Sequence, residues 1–121
     1  MGKTVVLGAS NNPVRYSYMA VQLMHSKGID FIPVGIKKGE TGGKKILDIR
    51  KKPEIENVDT VTIYMNPNRQ KEYHNYILSL KPRRIIFNPG TENSELNQLA
   101  RAANIATIEH CTIVMLQSGI F

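Results

Sequence analysis

The chain has 121 residues, 41% of them apolar, enough to bury a core in one domain without covalent staples. Sixteen Lys and Arg against ten Asp and Glu give a formal charge of +6, which favours phosphorylated small molecules or polyanions as partners over cations. One cysteine excludes an internal disulfide, no span approaches 20 apolar residues, and Val6 stands where a myristoylation signal has a hydroxyl, so a cytoplasmic chain without a membrane anchor is expected.

The first element is the apolar run Val5-Val6-Leu7, suited to a strand buried on both faces, which breaks at Gly8 into the polar turn Ala9-Ser10-Asn11-Asn12-Pro13. Gly8 permits a sharp turn with a ligand close to the backbone. Tyr18, Val21, Leu23 and Met24 then follow near-helical spacing, and Lys27-Gly28 supplies a basic last turn and a stop, predicting a helix over 16–27. Such a helix aims its unpaired N–H groups at whatever lies above the turn, and phosphate is the natural occupant. Phe31 to Val34 makes a second strand, followed by the glycine- and lysine-rich stretch 35–44, expected as an exposed, mobile loop. Residues 45–49 read as a short strand or turn, and 51–58 as a linker or brief helix broken at Pro53.

Thr60 to Met65 is β-rich, Asn66-Pro67 ends it, and Tyr73, Tyr76, Ile77 and Leu80 predict a helix over 68–80. Arg84 to Phe87 is a further strand closed by Asn88-Pro89-Gly90. Thr91 or Asn93 caps a helix with Leu96, Leu99, Ala100 and Ala103 on one face, and Ala106 to Glu109 is the last strand. Five strands alternating with helices predict a single α/β domain over 1–121, a Rossmann-like, mostly parallel five-stranded sheet with helices on both faces and order 3-2-1-4-5. The apolar tail from Cys111 to Phe121 either covers the sheet, the favoured reading, or forms an interface with a second copy or a partner protein.

In such sheets ligands bind beyond the carboxyl ends of the strands, where the order reverses. Here those ends are Ser10 to Pro13, Gly35 to Lys38, Met65 to Asn68 and Asn88 to Thr91. A dinucleotide fingerprint wants GxGxxG and an acid after the second strand; only Gly8 is present, and the second strand ends in Lys37-Lys38. A base there favours a ligand with a phosphate on its ribose over plain NAD. NADP and coenzyme A both qualify.

Gly8-Ala9-Ser10-Asn11-Asn12-Pro13, Ile32-Pro33-Val34 with Lys37 beyond, Asp59-Thr60-Val61, Phe87-Asn88-Pro89-Gly90-Thr91-Glu92 and Glu109-His110-Cys111 resemble the small CoA-binding protein family, in order and over nearly the whole chain. That family is similar to the CoA-binding domain of succinyl-CoA synthetase α subunits and acyl-CoA synthetases. The resemblance implies that Gly8, Ala9, Ser10, Asn11, Asn12 and Arg15 face the CoA phosphates, Lys37 the phosphorylated ribose, and Tyr64, Met65, Asn66 and Pro67 the adenine or pantetheine side. Asn88 joins them as a candidate contact. Gly35-Ile36-Lys37 replaces the family's frequent Asn-Pro-Lys but keeps the lysine, and Phe87-Asn88 replaces its usual Trp and Gln. No second flavodoxin-like domain, phosphorylatable-histidine segment or ATP-grasp region follows. Noncatalytic binding of CoA or an acyl-CoA is therefore expected, with an NADP-binding enzyme or redox sensor as the alternative.

Other readings stay open at single residues. Arg15 at a helix start is disfavoured by the dipole unless an anion is present. Tyr16 and Tyr18 either pack in the core or stack on adenine. Asn66 and Asn88 are explained by turn formation as well as by binding, and Glu92 by capping the next helix. Cys111 is expected to be buried as a small hydrophobe, or else to reach the cleft, where exchange with oxidised CoA can leave a mixed disulfide as a redox cap. His25, His74 and His110 show no metal spacing, and nucleic acid is disfavoured because no helix carries a dense basic face.

Overall fold

The computed structural model describes residues 2–121. The first strand, β1 (Lys3–Leu7), is central because Val5, Val6 and Leu7 bury fully and alternate between the two sheet faces. β2 (Phe31–Gly35) pairs on one side, with the two-residue β5 (Leu47–Asp48) beyond it. β6 (Val58–Ile63), β7 (Arg84–Phe87) and β8 (Ala106–Glu109) extend the other side. Every pairing in this sheet is parallel, in the order β5-β2-β1-β6-β7-β8. The sheet thus has six strands rather than the expected five. The added strand is β5, and the expected order 3-2-1-4-5 is corrected: the third of the five expected strands, β6, pairs with β1 rather than β2, so those five run 2-1-3-4-5 and β5 takes the outer place beside β2.

Helices cover both faces. Val6 and Phe31 pack under α1 (Tyr16–Ser26) through Ala20, Val21 and Met24, and under α5 (Thr112–Ser118) through Leu116. Val5, Leu7, Val61, Ile63 and Ile85 pack on the opposite face against Ile77 of α3 (His74–Ser79) and Leu96 and Ala100 of α4 (Ser94–Ala102). Asn93 caps α4 by accepting from the Leu96 N–H at 3.1 Å.

Three local expectations change. The stretch 35–44 contains the antiparallel hairpin of β3 (Glu40–Thr41) and β4 (Lys44–Lys45). Gly42 packs so closely on Phe31 and Val21 that an added Cβ would come within 2.6 Å of the Phe31 ring, and Lys44 donates to the Phe31 carbonyl at 2.6 Å and pairs with Asp30. The predicted helix over 68–80 is divided into α2 (Pro67–Gln70), a 3-10 turn at Lys71–Tyr73, and α3. The cause is Gln70, fully buried, whose amide donates to the carbonyls of Met65 and Thr91 at 2.7 Å each and holds the first turn against the sheet edge. Residues 112–118 form a helix that packs beside α1 and stops at Gly119, whose φ is +75°.

Asp59 at the start of β6 accepts two hydrogen bonds from the Arg83 guanidinium, at 2.8 and 3.2 Å, and one from Thr60 at 2.7 Å. The Arg83 bonds, seconded by Thr60, hold its carboxyl below the ordinary value of 3.8. A lowered carboxyl pKa stabilises the fold above the unfolded value and loses that contribution as pH falls through the folded one. Because the pair is largely solvated, Arg83→Gln should cost only ~0.5 kcal/mol at pH 7. In urea titrations at stepped pH, the gap between the two proteins should close below pH 3.8.

Candidate functional site

β1 lies between β2 and β6, so the carboxyl ends of three adjacent strands open into one cleft of 550 Å³. That size lies within the range of small-molecule sites. The floor is the turn after β1. Gly8 adopts φ +93°, and a Cβ there would meet Met65 and the Tyr64 backbone at 3.0–3.1 Å, so both conformation and space demand glycine. The N–H groups of Gly8 and Ala9 donate to the Val34 carbonyl at 2.8 and 3.0 Å, tying the turn to β2. Ser10 Oγ accepts from the Asn12 N–H and Asn12 Oδ1 from the Val14 N–H, shaping the rest.

With the Gly8 and Ala9 amides spent on Val34, the first turn of α1, through Tyr16 and Ser17, brings further backbone donors to the cleft. Arg15 occupies the N-cap position in an extended conformation, with no side-chain cap bond and no acidic residue in the turn. α2 and α4, by contrast, are each capped by an asparagine. An 11-residue helix with an open amino end, reached from the cleft through Arg15, Tyr16 and Ser17, is the backbone half of an anion site.

The charged half comes from three separate elements: Arg15 before α1, Lys37 after β2 and Arg69 on α2. None of the three side chains has a hydrogen bond or ion pair among the described residues, and no Asp or Glu lines the cleft. Three solvent-facing cations gathered without a carboxylate repel one another unless an anion joins them.

On the β6 side stands Tyr64, whose phenol oxygen is buried from solvent. It lies beside the hydroxyls of Thr62 and Thr112, which bond to each other at 2.7 Å, and burial pushes its pKa well above that of an ordinary phenol. Next to it, Asn66 caps α2 by accepting from the Arg69 N–H at 3.0 Å.

Of the residues predicted to contact ligand, Gly8, Ala9, Ser10, Asn11, Asn12, Arg15, Lys37, Tyr64, Met65 and Asn66 line the cleft; Pro67 and Asn88 do not. Pro67 opens α2 at its first position. Asn88 is buried, with its amide committed to Thr62, Ile63 and the Thr112 N–H. Tyr16 stands 70% exposed on the cleft wall, and Glu92 accepts from the Gly90 N–H. Cys111 is partly exposed, precedes α5 and lies off the cleft lining, with its N–H donating to His110 Nδ1 at 2.8 Å. Arg69 lines the cleft although the sequence did not single it out. A cation three residues after the strand-ending Asn66 was the available signal for Arg69.

Among the described residues, no helix is long and apolar enough to cross a membrane. A crystal structure of an uncharacterized protein is 52% identical, with a TM-score of 0.95 and coverage of 100% of this chain and 98% of that one. A Thermus thermophilus protein (18% identity, TM-score 0.86, coverage 99% and 90%) and a hypothetical protein from Pyrococcus horikoshii OT3 (21%, 0.81, coverage 95% and 81%) share the fold. Comparison with curated proteins gives no match. The model of the CoA binding domain matches residues 2–117, spanning every strand of the sheet and the whole cleft lining, and the chain therefore belongs to that family.

Proposed function

We propose that the protein binds coenzyme A or an acyl-CoA in this cleft and does not turn it over. Family membership supports the ligand. The observation that carries the reading is the set of three unpartnered cations around an uncapped helix start, with no carboxylate in the lining. CoA brings a diphosphate and a separate ribose phosphate, and so supplies anionic charge at more than one point of the cleft. The residues fit it further through Gly8 and Gly35, where any side chain would crowd the turn that makes the cleft floor. The lining contains no His, Cys, Asp or Glu, so neither a nucleophile–base pair nor an acid–base pair of carboxylates is available in it, which supports binding without catalysis. On this reading the protein is a cytoplasmic module that serves a small-molecule ligand.

Isothermal titration with CoA, 3'-dephospho-CoA and NADP tests the reading. Wild type should bind CoA, and Lys37→Ala should weaken it about tenfold, equivalent to the loss of one charge-assisted contact of ~1.4 kcal/mol. Dephospho-CoA should bind wild type and Lys37→Ala alike. Preference for NADP over CoA would replace the reading with that of a dinucleotide-binding protein, and no heat from CoA at millimolar concentration would overturn it.

A further inference from the structure

The chain has six arginines, and four have engaged side chains. Arg50 holds Asp48, Arg83 holds Asp59, Arg84 bonds the Thr60 hydroxyl and lies over the Phe121 ring, and Arg101 reaches Asn97 and Thr107. The remaining two, Arg15 and Arg69, have no side-chain partner among the described residues, and both line the cleft. The sequence arrives at Arg69 in a way that fixes its backbone. Pro67 starts the turn, Asn66 receives the Arg69 N–H on its side-chain oxygen at 3.0 Å, and the buried Gln70 clamps the same turn to Met65 and Thr91. The side chain is thus mounted on a fixed backbone, so that only its own rotamers have to be ordered when it grips a ligand.

Sheet order places it. β2 and β6 flank β1, so the strands that lead to Lys37 and Arg69 stand on opposite sides of the Gly8 turn, two strand spacings or ~10 Å apart. A ligand with two separated anionic groups can meet both cations without drawing the two like charges together. A guanidinium also matches a diphosphate better than an ammonium does, because its planar fork donates two bonds at once. Resting on the CoA reading above, we infer that Arg69 is a ligand-binding residue that clamps the diphosphate from the β6 side, together with Arg15 and the open end of α1, while Lys37 meets the ribose phosphate. Asn66 and Gln70 act through it as positioning residues.

The test is titration of wild type, Arg69→Ala, Lys37→Ala and Arg101→Ala with CoA and with 3'-dephospho-CoA. Arg69→Ala should weaken both ligands by the same factor, on the order of tenfold. Lys37→Ala should weaken CoA alone. Arg101→Ala removes an equal charge remote from the cleft and should leave both affinities within twofold, roughly the scatter of a neutral surface change. Unchanged affinity in Arg69→Ala, a loss confined to CoA, or an equal loss in Arg101→Ala would each overturn the assignment of Arg69. Failure of wild type to bind CoA at all would instead remove the CoA reading, so the two failures are distinguishable.

Discussion

Asn88→Ala should destabilise the protein by about 3 kcal/mol while leaving CoA affinity nearly unchanged. The Asn88 amide donates to Thr62 Oγ1 at 2.7 Å and to the Ile63 carbonyl at 2.9 Å, and its oxygen accepts the Thr112 N–H at 2.8 Å. Those bonds join the ends of β6 and β7 to the start of α5, and Thr62 and Thr112 are fully buried. Alanine would leave the Thr112 N–H and the Ile63 carbonyl without their partner where water cannot replace it, a cost of about 1–3 kcal/mol for each such group. In a domain of this size the melting temperature should fall by roughly 10 °C. Since Asn88 lies behind the cleft rather than in its lining, titration below the transition should give an affinity within about twofold of wild type, a change of under ~0.5 kcal/mol. An unchanged melting temperature with a large loss of affinity would show instead that this side chain reaches the ligand.

Gly35→Ala should harm binding more than its one added methyl suggests. Gly35 closes β2 directly beside Ala9, and a Cβ built on it would lie 2.6 Å from the Ala9 carbonyl oxygen. That neighbour is backbone, and it is held in place by the Gly8 and Ala9 bonds to Val34. Relief therefore requires the Gly8–Ala9 turn to move away from β2, which costs about 2 kcal/mol as overpacking of a close contact. The displacement changes the cleft floor itself, so CoA affinity should fall at least tenfold, or ~1.4 kcal/mol. Gly43→Ala is the informative control: φ there is +78° but nothing lies within 4 Å, so only backbone strain of about 1 kcal/mol is added, away from the cleft. Urea unfolding and titration of the two variants side by side separate strain from steric exclusion. Wild-type affinity in Gly35→Ala would mean that the turn yields without consequence for the ligand.

Much of this was legible in the residues because the signals are local. Val5 to Leu7, Phe31 to Val34 and Arg84 to Phe87 are short apolar or β-branched runs closed by glycine or asparagine, and each lies in a strand, as does Ala106 to Glu109. Gly8 breaks the first run where the chain must turn, and Lys37 follows the second where an acid would otherwise hold a ribose. Both positions line the cleft at the strand ends.

What the sequence determined by itself was the alternation of strand and helix, the parallel sheet that alternation requires, and the sign of the charge at the strand ends, all properties of residues close together in the chain. Tertiary structure alone decided the rest. The two residues of β5 are a strand only because Val34 and Gly35 pair with them. The break between α2 and α3 exists because Gln70 bonds Thr91, 21 positions away, and α5 begins where Asn88, 24 positions earlier, receives the Thr112 N–H. Arg69 enters the cleft for the same reason, since β6 lies next to β1 in the sheet while 50 residues separate Leu7 from Val58 in the chain. Such contacts are chosen by which buried polar groups and facing side chains find one another once the sheet has formed, and no local pattern encodes that choice.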